Sequence, residues 1–246
     1  MGSLAPNWRD PVSILETLSR LDLIAFALFV VGWGSYELYG AKAKRDGIGL
    51  PHHMHIWRQR WMMAALERDN RILDVQIIRS VTGNSAFLAS TAILVIGGLA
   101  ALMGAAGDIV IVLNGYDFFA ETSQNRFGLK LAVLIVIFVH AFFRLAWSMR
   151  LNANASITLG AIRQPEVNAD PGEARARADT TADLLTLGAK HYNSGMHSYY
   201  FGLAAGTWFI HPAALIVATV WVLITLYRRE YRSRALASLM APGGEG

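Results

Sequence analysis

The sequence predicts an all-α protein, a polytopic transmembrane helix bundle of about five spans with a basic interfacial amphipathic helix. Three observations predict it. Of the 246 residues, 54% are hydrophobic and only 16% are charged, whereas an average soluble domain has ~25% charged residues. The apolar residues fall in blocks long enough to cross a hydrocarbon core of ~30 Å. The basic residues collect in segments that lie on one side of the topology these blocks define. Cysteine is absent, which removes disulfides, thiol catalysis, iron–sulfur clusters and cysteine zinc sites. The net charge of +4 is modest, and its distribution says more than its size.

Residues 1–20 read as an amphipathic lead-in with Asn7, Asp10 and Pro11 as turn residues. No basic region precedes a short apolar core there, so a signal peptide is not expected. Span 1 is expected over 21–39. Trp33, Tyr36 and Tyr39 crowd one end of it, as interfacial aromatics do, and Glu37 among them reads as a carboxylate reaching water. After Lys42, Lys44 and Arg45 comes a break at Gly47, Gly49 and Pro51, and then the interfacial helix, 54–68. Trp57, Trp61 and Ala65 share one of its faces, with Arg58, Arg60 and Arg68 around them. Arg58 and Arg60 are the expected contacts with anionic lipid headgroups. His52, His53 and His55 match no metal-binding spacing.

No turn signal separates the charged run from span 2 (81–106), so Glu67 to Ser90 reads as one helix entering the membrane. In the following loop, 107–128, the apolar segment IVIVLNGYDFF is expected to lie against the membrane surface. Span 3 is expected over 129–147, with His140 and Arg144 one helical turn apart. Residues 163–180 are rich in Pro, Gly, Ala and charge and read as a mobile loop. Spans 4 (189–210) and 5 (212–227) are expected as a tight hairpin, because Pro212 suits the first turn of a new helix. Ser198, Gly202 and Gly206 line one face of span 4 and predict close helix packing. Residues 235–246 read as a disordered tail.

Five spans make a parity prediction that charge tests. Eight Lys or Arg fall in 40–80, six in 144–195 and four in the C-terminal segment, which is 18 of the 22 on one side. The positive-inside rule puts that side in the cytoplasm and the N-terminus outside. The polar residues near the membrane then cluster at the cytoplasmic face: Glu67, Arg71, Asp74, Gln76 and Arg79 entering span 2, His140 and Arg144 on span 3, and Lys190 and His197 on span 4. Glu67, Arg71 and Asp74 would share a helix face. Two readings stay open. One is an ion-pair network that locks helices together, in a scaffold or accessory subunit. The other is a vestibule whose cationic excess suits a small anion, in a channel or transporter built as a homo-oligomer, since five spans leave little room for an internal pathway. His140 and His197 could also ligate a haem across two helices, although no second histidine pair or attachment motif accompanies them. No metal site, catalytic set or phosphate loop appears, and neither enzymatic activity nor a nucleic-acid partner is expected.

Several motifs occur in order: M-H-x-x-R-x-R-W-M at 54–62, R-D-N-R-I-x-D-x-Q at 68–76, F-x-A-S-T at 87–91, F-R-x-A-W-S-x-R at 143–150, and F-I-H-P-A and Y-R-R-E-Y near the end. In these the chain resembles domain-of-unknown-function family 599, over roughly residues 20–234. The resemblance implies a membrane-embedded protein of the kind found in bacteria and plants, here in a bacterial inner membrane, and implies no mechanism. Where the family often carries a more aromatic run after the span 3 arginines, this chain has LNANAS.

Overall fold

The computed structural model describes residues 18–116, 122–162 and 171–240, and all regular elements among them are helical. They are α1 (Arg20–Arg45), α2 (Leu50–Leu66), α3 (Ile72–Gly104), α4 (Ala106–Leu113), α5 (Gln124–Gly160), α6 (Pro171–Gly206), α7 (Pro212–Tyr231) and α8 (Arg234–Met240), with a 3-10 turn at Thr207–Phe209.

Local chemistry sets the boundaries. Ser19 and Asp22 form a capping box at the start of α1: Ser19 Oγ accepts the Asp22 N–H and the Asp22 carboxylate accepts the Ser19 N–H, each at 3.1 Å. Lys42, Lys44 and Arg45 fill its last turn, where cations oppose the helix dipole. The chain then reverses through Gly47 and Gly49 at positive φ. A Cβ on Gly49 would lie 2.7 Å from the Tyr231 ring. Pro51 opens α2, where its missing N–H leaves nothing unpaired. At the other tight reversal His211 caps α7, accepting the Ala213 N–H on Nδ1, and Pro212 is the first helical residue.

Contacts fix the helix directions. α1 runs antiparallel to α6, because Asp22 meets Trp208, Phe29 meets Phe201 and Glu37 meets His197. α5 is also antiparallel to α6, with Lys130 at Trp208, Phe138 at Gly202 and Leu145 at Gly195. α3 packs outside α5, where Ser85 and Ser148 share a hydrogen bond at 3.3 Å and Ile78 clusters with Leu159. α7 returns beside α1 and α6. The main core lies between α1, α5, α6 and α7, around Phe29, Phe138, Phe201, Trp208 and Leu215. A second core joins α2 to α3, α5 and α6 through Met62, Ala65, Ile78, Leu159 and Ala182.

Four helical stretches are long and apolar enough to cross a membrane: α1, α3, α5 and the run Pro212–Met240. Their outward faces carry exposed Val31, Leu94, Val136 and Val217, as lipid contact requires. The stretch expected as span 4 is not among these four. It is the second half of α6, which is largely covered by α1, α5 and α7 and leaves Leu203 exposed. A helix surrounded by protein does not need an apolar sequence, and Ser194 and Ser198 are buried on it.

Several expected boundaries move. Glu67 to Ser90 is not one helix: α2 ends at Leu66 and α3 begins at Ile72, with Asn70 Oδ1 accepting the Ile72 N–H. Asn and Asp side chains that bond the backbone ahead end helices in this way. Of the segment read as a mobile loop, 163–170 lies outside the described residues, and 171–180 is helix. Pro171 begins that helix, alanines fill it, and Glu173 pairs with Arg177 one turn on. Part of the expected surface loop is the short helix α4. Residues 235–240 of the expected disordered tail belong to α8, while 241–246 and the lead-in 1–17 lie outside the described residues.

Candidate functional site

The helix directions gather the C-terminal ends of α1, α5 and α7 and the N-terminal ends of α3 and α6 at one end of the bundle. α2 packs across this end. It carries most of the basic residues, and three polar assemblies lie in it.

The first ties α2 to α3. Asp74 is fully buried, and its Oδ1 accepts the Trp61 Nε1–H at 2.7 Å and an Arg68 guanidinium N–H. Its Oδ2 has no hydrogen-bond partner among the described residues. Arg71 turns elsewhere and donates to the carbonyls of Ala65 at 3.1 Å and Ile162 at 2.6 Å. These are carbonyls at the C-terminal ends of α2 and α5, which intrahelical bonds leave open. The expected shared face of Glu67, Arg71 and Asp74 is therefore absent. The break at 67–71 rotates Arg71 away, and Arg68 takes Asp74 in its place. Glu67, Gln76 and Arg79 are exposed. Arg71 and Gln76 line an open depression with Asp69 and Ile162.

The second assembly joins α1, α6 and α7. His197 is buried, with its Nδ1 3.2 Å from Glu37 Oε1 and its Nε2 2.9 Å from Glu230 Oε1. Tyr36 donates to the other Glu230 oxygen at 2.7 Å, and Ser194 donates to Glu37 at 3.3 Å. A ring with both nitrogens on carboxylate groups needs one proton more than a neutral imidazole between two carboxylates supplies. The extra proton sits on the ring or on one of the acids. Glu230 lies in the Y-R-R-E-Y motif, but the sequence reading gives it no role because it follows span 5 inside a basic run. The helical hairpin α6–α7 brings it back to His197.

The third assembly lies beside it on α5. His140 shares a hydrogen bond with Ser198 Oγ at 2.9 Å and meets the Trp33 ring edge-on. The charge of Arg144, one turn on, acts on Glu37, His140 and His191. Its Nε is sealed from solvent without an acceptor among the described residues, and His191 Nδ1 is likewise unpartnered among them. Lys190 is exposed beside them. For a haem, His197 would have to release one of its carboxylates, and His140 would have to bind iron through the nitrogen that does not face Ser198.

Away from these assemblies, near the opposite end, Asp22, Trp208 and Lys130 form a buried knot. Trp208 Nε1 donates to Asp22 at 2.7 Å, and Lys130 donates to the Trp208 carbonyl at 2.9 Å. Nothing in the local sequence joins these residues, and only the packing of α1, α5 and α6 does.

The expected small-residue face is corrected by one register. Ser198 is fully buried, and a Cβ on Gly202 would lie 3.1 Å from Phe138, but nothing lies within 4 Å of one on Gly206. The close approaches are instead at Gly188, Gly195 and Gly202, which face Asn152, Leu145 and Phe138. Both series step by seven residues. This is the seam of helices packed at a shallow angle, and the glycines that mark it are visible in the sequence. Asn152 belongs to LNANAS, so that segment serves close packing.

No curated protein and no solved structure matches the chain. A family model, "Protein of unknown function, DUF599", matches residues 24–235. That match covers α3, α5, α6 and α7 and nearly all of α1, with every assembly at the basic end, and the chain belongs to this family.

Proposed function

We propose that the protein is a homo-oligomeric channel or transporter for a small anionic solute, with proton exchange at His197. The observation that carries this reading is the placement of one imidazole between Glu37 and Glu230, from two other helices, beside an arginine with an unpartnered Nε. Ionisable chains of this kind within membrane bundles mark ion and proton pathways. A packed core lies between α1, α5, α6 and α7, so the pathway would run along the α1–α5 side, where His140 is exposed, and a second copy would close it. In this reading α6 is a fifth crossing. The basic end faces the cytoplasm of a bacterial inner membrane, the N-terminus lies outside and the C-terminus inside.

The test is anion-driven proton flux in proteoliposomes loaded with a pH dye. Wild-type flux above that of empty vesicles, reduced about tenfold or more by His197→Gln and by Arg144→Gln, supports the reading. Flux no faster than in empty vesicles across a panel of inorganic and carboxylate anions would sink it.

A second reading, a scaffold or accessory subunit, is favoured by one observation: Asp74 and Arg71 are spent on internal partners, Trp61 and Arg68 for the acid and two helix-end carbonyls for the base. In that case Arg71→Ala and Asp74→Ala lower the melting temperature and change no transport.

A further inference from the structure

Beyond the transport reading, one cluster of cations at the basic end outnumbers the acids near it and forms no ion pair with any described residue. α6 is its common wall. His55 of α2 bonds Thr186 of α6 at 3.1 Å, which sets the next turn of α2, with Arg58, against α6. Glu37 of α1 meets Ser194 and His197, so Lys44, two turns further along the antiparallel helix, comes abreast of residues 187–190 and hence of Lys190. The charges of Arg58 and Lys190 both act on Lys44, and Asp183 is the one acid acting there. Next along α6, the His191 ring meets Trp147 of α5, one turn from Arg144.

Lys44, Arg58 and Arg144 are half-buried and so are not an ordinary solvated rim, while Lys190 stands exposed at their edge. Arg58 is half-buried, and burial alone pushes its guanidinium below the usual arginine range. The side chains of Lys44, Arg58, Lys190 and Arg144 make no hydrogen bond or ion pair with any described residue. An excess of cytoplasmic lysine and arginine follows from topology alone, but a topological charge does not have to sit half-buried without an acceptor. Arg60, on the same helix, shows the contrast: it is exposed and stacks on Trp57 at 5.1 Å.

We propose that Lys44, Arg58 and Lys190 form a binding site for a negatively charged phosphate group, entered from the headgroup layer, with Arg144 at its inner end. The chemistry fits. A guanidinium presents a planar fork and two ammonium groups are compact charges, and together they match the oxygens of a phosphate ester. The height fits as well, because the site lies where α1 ends and α2 crosses, next to an exposed tryptophan, which is headgroup depth. The group could belong to an anionic phospholipid or to free phosphate. The site does not depend on transport, so flux can fail while binding holds.

The experiment is native mass spectrometry and equilibrium titration of the full chain in detergent, with phosphatidylglycerol, phosphatidylcholine and inorganic phosphate as separate probes. Saturable phosphatidylglycerol binding is expected. It should weaken about tenfold or more in the chain carrying Lys44→Gln, Arg58→Gln and Lys190→Gln, and by less than about twofold in Arg60→Gln. If inorganic phosphate binds alone and displaces the lipid, the free anion is the ligand. If only the lipid binds, the headgroup is. Both outcomes support the site. Equal phosphatidylglycerol binding by the triple variant and the wild type, or a response to phosphatidylcholine as strong as to phosphatidylglycerol, overturns it. So does no binding of either phosphatidylglycerol or inorganic phosphate. The triple variant is expected to melt within a few degrees of wild type, because the protein compensates these charges only weakly, through the α1 helix end at Lys44 and the exposed Asp183. A collapse of the melting transition would mean that these side chains hold the fold and would overturn the assignment too.

Discussion

The most consequential residue is His197, because removing it leaves two acids facing each other. Glu37 and Glu230 both meet its ring, and Tyr36 and Ser194 complete their hydrogen bonds. Breaking a buried charged assembly by deleting one partner costs about 3–5 kcal/mol. His197→Ala is therefore expected to lose about 3 kcal/mol, read as a fall in melting temperature in detergent. Glu37→Gln in the same chain should recover part of that loss by removing the repulsion. If His197→Ala melts like the wild type, the ring does not bind the two acids together. His197 was legible as a candidate because a histidine in an apolar span is unusual. Its acids were not legible as a set, since Glu37 looked interfacial and Glu230 lies 33 residues further along the chain.

At the scale of elements, the seam between α5 and α6 decides how closely the bundle closes. A Cβ on Gly195 would lie 2.7 Å from Leu145 Cγ, whereas one on Gly206 meets nothing within 4 Å. Gly195→Ala is expected to destabilise by about 1–3 kcal/mol through overpacking, and Leu145→Ala in the same chain should relieve the clash. Gly206→Ala should leave the melting temperature unchanged or raise it slightly. Equal melting curves for the two glycine variants would show that the seam does not close there. The expected four-residue stripe found Gly202 but not the seven-residue series. Both spacings put residues on one face, and only the partner's side chains say which face is in contact. The break at 67–71 was missed for a related reason. A run of charged residues is compatible with a continuing helix until Asn70 takes the backbone N–H ahead of it.

At the scale of the whole molecule, α6 decides the topology. Four stretches satisfy length and hydropathy, and α6 follows α1 from Glu37 to Asp22 under cover of its neighbours. With α6 as a crossing, the α2–α3 turn and the start of α8 lie on one side and the α4–α5 loop on the other. The chain has no cysteine, so single cysteines report directly. Glu67→Cys and Arg234→Cys should react with an impermeant maleimide from the same face of sealed vesicles, and Tyr116→Cys from the opposite face. Labelling of Glu67→Cys and Arg234→Cys from opposite faces would show that α6 does not cross.

Composition and block lengths by themselves determined a helical membrane protein, because a bilayer demands long apolar helices and leaves their signature in the sequence. They also determined where most of the cations go. Only the tertiary structure decided which of those polar groups are satisfied. Asp74 and Arg71 are absorbed into helix-end chemistry and His197 is held between acids from two other helices, while Lys44, Arg58 and Lys190 come together without forming an ion pair with any described residue. The physical reason is that burial and pairing depend on residues far apart in sequence, and α6 brings them together by packing most of its second half against protein.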